Sequence, residues 1–253
     1  MIDIGMGEWG TEYNEYILIK FTSSYGFQQC FLDGKLYFNT SDWFAKCEDK
    51  GRGDTDEGNT FVVNHNNPGL TSINLEIIDG QVFIKNRDYT DNPSEYKKST
   101  VLSYSTALNR FRKAISFYTA YVNFDKKVIS EFPDNMAKEF GQYGVLILDR
   151  QEFFERVVNA FRKMSNCNEA RMGFVEYQKI EPGLNEWNPF RKDIDKFRYQ
   201  NEFRITFVDD TKEAVLLDLK RTIRDIAVPI LASDVQREIF FNGDELLYSA
   251  NKN

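Results

Sequence analysis

Apolar and polar positions alternate through the stretch KFRYQNEFRITF, residues 196–207. Phe203, Ile205 and Phe207 fall on one side, and Gln200, Glu202 and Arg204 on the other. Successive side chains of a strand point to opposite faces, so the pattern predicts a strand that is apolar on one face and hydrogen-bonding on the other. It places Gln200 and Glu202 side by side, about 6–7 Å apart at their α-carbons. Two readings of the polar face stand open. It is the wet face of an antiparallel strand, or it turns Gln200 and Glu202 together into a cleft.

The same period of two runs through much of the chain. YILIKFTS (16–23) predicts a strand with Ile17, Ile19 and Phe21 on one face and Tyr16, Leu18 and Lys20 on the other. SSYGFQQCFLDG then predicts a short helix with a serine N-cap and Gly34 as its stop. KLYFNT (35–40) predicts a second strand, and SDWFAKCEDK one or two helical turns capped by Ser41 or Asp42. GRGDTDEGN (51–59) is a glycine-rich acidic loop. Asp79-Gly80 between alternating runs is a hairpin signal. KAISFYTAYVN (113–123) fits helix or strand, and its β-branched and aromatic content favours strand. GVLILD is a buried strand, followed by a helix from about Arg150 to Met164 with Phe153, Phe154, Val157, Val158 and Phe161 at helical spacing. ARMGFVEYQKI predicts a further strand, and PGLNEWNPFRK a loop into a short helix. After the 196–207 strand come a hairpin into EAVLLDLK, a strand in IRDIAVPIL and a short capped helix from Ser233.

Strands dominate, with short helices scattered among mostly hairpin connections. The expected fold is α+β: mixed, mostly antiparallel sheets packed with short helices. No stretch rich in Pro, Gly or Ser divides the chain, so residues 1–253 are expected to form one domain. No GxGxxG lies between a strand and a helix, and no GxxxxGK[ST] occurs.

Composition narrows the function classes. At 253 residues and 42% hydrophobic content, the chain is long enough for a sizeable core. Its 22 Phe and 13 Tyr exceed what a core needs and leave rings for stacking on a planar ligand. A net charge of -7 argues against phosphate-backbone tracking by overall charge. A local basic patch of Lys97, Lys98, Arg110, Arg112 and Lys113 is the exception, with a solvated face as its plainer reading. Cys30, Cys47 and Cys167 form no CxxC pair; Cys30 and Cys167 are expected reduced and partly buried. His65 is the single histidine, so a His-rich metal site is excluded. No apolar run reaches the roughly 18 residues a membrane helix needs, and the acidic N-terminus lacks a signal peptide's pattern. A cytoplasmic protein with no membrane partner is expected.

Three segments carry a family resemblance. The Gln200-Asn201-Glu202 triplet resembles the Gln-x-Glu signature of the ADP-ribosyltransferase-like superfamily. The unit YILIKFTSSYGFQQCFLDGKLYFNTSDWF is similar to the strand-helix-strand that opens such proteins, with Lys20-Phe21-Thr22 where the DNA-modifying branch has His-Phe-Thr. GRGDTDEG together with the late FRYQNEFRI strand resembles a bacterial and phage branch of the superfamily. This resemblance implies a split β core and NAD as substrate. It implies that Glu202 is catalytic, bonding the nicotinamide ribose, and that Gln200 faces the acceptor. Lys20, Thr22, Tyr37, Asp54, Ser116 and Arg204 are the implied NAD-side residues. An Arg-Ser-Glu pattern also calls for a mid-chain serine element, which Ser103, Ser105 and Thr106 or Ser116 and Tyr118 offer, with ordinary strand hydroxyls as the plainer reading of both. The implied function is NAD-dependent ADP-ribosyl transfer to a macromolecular acceptor, a protein or a nucleic-acid base, in a toxin, a phage-defence or a counter-defence factor. An antitoxin or inhibitor protein would be a further partner. Two alternatives are kept: a non-catalytic protein-binding module on the same fold, and a metal-dependent nuclease using Asp54, Glu57 and Glu202. The plainest reading of Arg204 is a pair with Glu202 on an open sheet, which stabilises little.

Overall fold

The computed structural model describes residues 4–5, 15–47, 61–62, 73–78, 81–86, 111–167, 169–179, 183–184 and 188–249. Strand β1 (Glu15–Thr22) leads into helix α1 (Tyr25–Leu32), strand β2 (Lys35–Thr40) and helix α2 (Ser41–Lys46). Then come β3 (Arg112–Asn123), α3 (Met136–Phe140), β4 (Tyr143–Ile147) and α4 (Arg150–Phe161). Next are β5 (Glu169–Phe174), β6 (Glu176–Gln178), β7 (Arg191–Asp193) and α5 (Ile194–Phe197). The chain continues with β8 (Glu202–Val208), β9 (Val215–Asp218), β10 (Ala227–Leu231) and α6 (Val235–Glu238). It closes with β11 (Ile239–Asn242) and β12 (Glu245–Tyr248). The fold is mixed α+β and mostly antiparallel, as the alternation predicts.

The central sheet runs β5-β8-β3-β1-β4-β10, with β2 joining β3 at one end and carrying β9 on its far edge. Each of these pairings is antiparallel. Apolar side chains cover both faces, because both sets of alternate positions are occupied. Leu18, Phe117, Phe203, Ile205 and Phe207 pack with Phe31 and Leu32 of α1 and Phe153, Val157 and Phe161 of α4. Ile17, Ile19, Phe21, Tyr118 and Leu146 pack with Met136 of α3 and Val235 of α6.

Local chemistry sets the ends of the elements. Ser24 caps α1 by accepting from the Phe27 amide, and Asp149 caps α4 by accepting from Glu152. The cap of α2 is Thr40, whose Oγ1 accepts from the Trp43 amide, rather than Ser41 or Asp42. Helix α4 ends at Phe161, short of Met164. Ile73–Ile78 pairs antiparallel with Gln81–Asn86, with Ile78 opposite Gln81, and Asp79-Gly80 lies outside the described residues.

Several expectations are corrected. Strand β9 does not return as a hairpin onto β8. It pairs with β2, placing Leu216 opposite Tyr37. Of the expected basic patch, Arg112 and Lys113 are buried rather than exposed, and Lys113 bonds Asp209 at 2.6 Å and the carbonyls of Phe111 and Thr211; Lys97, Lys98 and Arg110 lie outside the described residues. Cys30 is exposed rather than partly buried. The β11–β12 hairpin, with Gly243 and Asp244 at its turn, was not anticipated. Among the described residues, no helix is long and apolar enough to cross a membrane. His65 and Asp54 lie outside the described residues.

Candidate functional site

The site begins where two strands part. β1 pairs with β3 from Glu15 opposite Val122 to Ile19 opposite Tyr118. Beyond that rung β1 stays with β4, as far as Thr22 opposite Tyr143. β3 continues along β8 and meets β2 at Asn39 and Thr40. A cavity of about 610 Å³ opens between the departing strands. Lys20 bridges the seam by donating from Nζ to the Ser116 carbonyl at 2.9 Å, replacing a ladder bond that β1 no longer supplies.

The cavity brings together every described residue that the sequence singled out: Lys20, Thr22, Tyr37, Ser116, Gln200, Glu202 and Arg204. Glu202 is the first residue of β8 and is only 4% exposed. Its Oε1 accepts from Arg204 Nε at 2.7 Å and from the hydroxyl of Ser116, a diagonal neighbour on β3. Its Oε2 lies 2.9 Å from Lys192 Nζ. Burial opposes ionisation of this carboxyl. The charges of Arg204 and Lys192 and the hydrogen bonds from Arg204 and Ser116 outweigh it, and hold the group ionised well below the ordinary carboxylate range. Arg204 also donates to the Pro189 carbonyl at 2.6 Å. The Glu202–Arg204 pair therefore exists, but in the interior rather than on an open sheet.

Gln200 reaches the cavity by a different route from the one the alternation implies. It ends a 3-10 turn, Arg198–Gln200, and Asn201 follows with φ +40°, so the strand proper starts at Glu202. The turn still buries Gln200 beside Glu202. Gln200 Oε1 accepts from Lys192 at 2.9 Å, and its Nε2 donates to the Tyr199 hydroxyl at 3.3 Å. Tyr199 in turn donates to Glu139 of α3. The polar face of β8 is not wet: Glu202, Arg204 and Thr206 are all buried.

The remaining residues form wall and mouth. Thr22 Oγ1 lies within hydrogen-bond reach of the Ser24 and Tyr143 carbonyls. Tyr37 is 56% exposed and Phe27 62%, and with Trp43 and Leu216 they give the opening an apolar rim. Among the described lining residues, Lys20, Lys35, Lys192 and Arg204 set four cations against the carboxylate of Glu202. The described lining is thus cationic in a chain of net charge -7.

Sequence reasoning missed Lys192, Tyr177 and, in the rim, Phe27, Trp43 and Leu216. Tyr177 accepts the Glu202 amide at 2.8 Å, and burial together with the Glu202 charge pushes its phenol well up, so it stays protonated. A signal for Lys35 was present, since it shares a strand face with Tyr37. Nothing in the local pattern around Arg191-Lys192-Asp193 marks Lys192.

Comparison of the chain with family models, with curated proteins and with solved structures finds no match. Fold and site together define a mostly antiparallel α+β protein with a cationic, aromatic-rimmed cavity built on a buried, ionised glutamate.

Proposed function

We propose that this protein transfers ADP-ribose from NAD to a macromolecular acceptor, a protein or a nucleic-acid base. The observation that carries this reading is Glu202, held ionised inside a cationic cavity at the point where β1 and β3 part. The parting strands support the split core that the resemblance implies. Lys20, Ser116 and Glu202 stand in the order of an Arg-Ser-Glu pattern with lysine in the first place, joined by the Lys20–Ser116 and Ser116–Glu202 bonds. The cavity falls within the roughly 300–1,000 Å³ typical of small-molecule sites. Lys20 and Lys35 suit a pyrophosphate, and Phe27, Tyr37 and Trp43 suit planar rings.

In the reaction the bond from ribose C1 to the nicotinamide nitrogen breaks, and nicotinamide leaves with the electron pair. Positive charge grows on the ribose, and a fixed carboxylate stabilises it. A nucleophile of the acceptor forms the new bond and gives up its proton. Gln200 is the acceptor-side residue in this scheme. A toxin, phage-defence or counter-defence role belongs to the same reading, with an inhibitor protein as its counterpart.

One observation favours a second reading, a non-catalytic binding module. Arg204, Ser116 and Lys192 already occupy three of the roughly four acceptor positions of the Glu202 carboxylate. The deciding experiment measures NAD binding and nicotinamide release by the wild type, alone and with cell lysate, beside Glu202→Asp. Release that is lost in the variant supports the transferase, and labelled NAD then marks the acceptor. Binding without release supports the module. Neither binding nor release sinks the transferase.

A further inference from the structure

Lys192 is the middle residue of β7, which pairs in parallel with β6 and so sets Lys192 opposite Tyr177. The residue is buried, and its ammonium lies 4.8 Å from the centroid of the Phe197 ring. From there Nζ donates to Gln200 Oε1 at 2.9 Å and lies 2.9 Å from Glu202 Oε2. These two side chains belong to different elements. Gln200 ends the 3-10 turn, Glu202 opens β8, and the left-handed Asn201 separates them. A strand would fix two such side chains on one face through its own backbone; here the backbone does not, and a third residue spans them. Lys192 also orients the Gln200 amide. With Oε1 turned to the ammonium, Nε2 faces the Tyr199 hydroxyl, and the chain of hydrogen bonds continues to Glu139 on α3.

We infer that Lys192 is the positioning residue of this site, its ammonium holding Gln200 and Glu202 in fixed relation so that they act as one unit. The geometric half of this inference is independent of the reaction. The catalytic half rests on the transferase reading. The groups that face Glu202 are Arg204 from its own strand, Lys192 from β7, Ser116 from β3 and Tyr177 from β6.

The test has a ligand-free arm and a turnover arm. In the first, NMR follows the Glu202 carboxyl carbon and the Gln200 side-chain amide, assigned through Glu202→Gln and Gln200→Leu. In Lys192→Met the Glu202 signal titrates at higher pH than in the wild type, and the Gln200 amide signals move. In Lys192→Arg, which keeps the charge but changes the donor geometry, Glu202 stays ionised while the Gln200 signals still move. The arginine variant decides the matter if the methionine variant does not fold. Unchanged Gln200 and Glu202 signals in every folded variant overturn the inference.

In the second arm, nicotinamide release from NAD by Lys192→Met falls about 100-fold in kcat, the cost of a misplaced catalytic group, with KM changed much less. Gln200→Leu added to Lys192→Met lowers kcat little further, because the two act together. Additive losses, or an unchanged kcat, overturn the catalytic half. A wild type that neither binds NAD nor releases nicotinamide refutes the transferase reading instead, and the NMR arm still decides the role of Lys192.

Discussion

Glu202→Gln is the obvious way to silence this site, and the structure says that it also weakens the fold. The substitution removes one buried negative charge and leaves two buried cations facing a neutral amide. Arg204 loses its partner at 2.7 Å and Lys192 its partner at 2.9 Å. The new amide has one oxygen for these two donors, so its nitrogen must face one of them. Breaking a buried pair costs about 3–5 kcal/mol. Arg204 keeps the Pro189 carbonyl and Lys192 keeps Gln200, which puts the loss near the lower end, about 3 kcal/mol. For a chain of this size that lowers Tm by about 6–12 °C.

Thermal unfolding followed by circular dichroism at pH 7 measures this loss. The pH dependence has a definite sign. The folded carboxyl titrates below its ordinary value of 4.5, so its contribution is full above that value and is lost as pH falls toward the folded value. The gap between wild type and Glu202→Gln therefore narrows in acid. Replacing Lys192 by Met in the Glu202→Gln background removes one orphaned cation and restores part of the loss. A Tm within about 2 °C of the wild type at pH 7, or strictly additive losses in the double variant, would refute the reasoning.

Two further outcomes follow from the geometry. Lys20→Ala removes a cation of the lining and the bridge to Ser116; on the transferase reading calorimetry shows NAD affinity reduced about tenfold, with Tm changed far less than in Glu202→Gln. Gly141 has φ +106°, and a Cβ there would overlap the Thr22 carbonyl and sit 2.6 Å from Ser23 Cα, so Gly141→Ala is expected to cost at least about 2 kcal/mol in denaturant unfolding. Gly243→Ala is the control: φ is +64° but nothing lies within 4 Å, so the substitution costs only the backbone strain of the left-handed conformation and destabilises less than Gly141→Ala.

What the sequence made legible was local. Alternation placed Phe203, Ile205 and Phe207 in the core, and a serine announced α1 through capping chemistry, whereas the Asp149 cap of α4 emerged only in the structure. Of the candidate site, alternation along β8 carried only Glu202 and Arg204; Lys20 on β1, Tyr37 on β2 and Ser116 on β3 were named through the family resemblance, and they line the same cavity. Gln200 was assigned to the right place for the wrong reason, since alternation cannot distinguish a strand from a turn that ends in a left-handed residue. Non-local choices were hidden. β9 follows β8 closely in sequence yet pairs with β2, and the pattern of EAVLLDLK fits either partner. Lys113 read as a surface charge and Lys192 carried no signal, because burial of a cation depends on the carboxylate it meets, Asp209 or Glu202, some 96 and 10 residues away in the chain.

The seam between β1 and β3 has a consequence for how this site can change. Below it the two strands are zipped together, and above it each is anchored on its other flank, β1 to β4 and β3 to β8. The opening therefore behaves like the unfastened end of a zip whose cloth is sewn down on both sides. Side chains that face the gap, such as Lys20 and Tyr37, can be exchanged without cutting a seam that the fold depends on. Recognition is free to drift at the mouth while the stitched interior around Glu202 resists alteration.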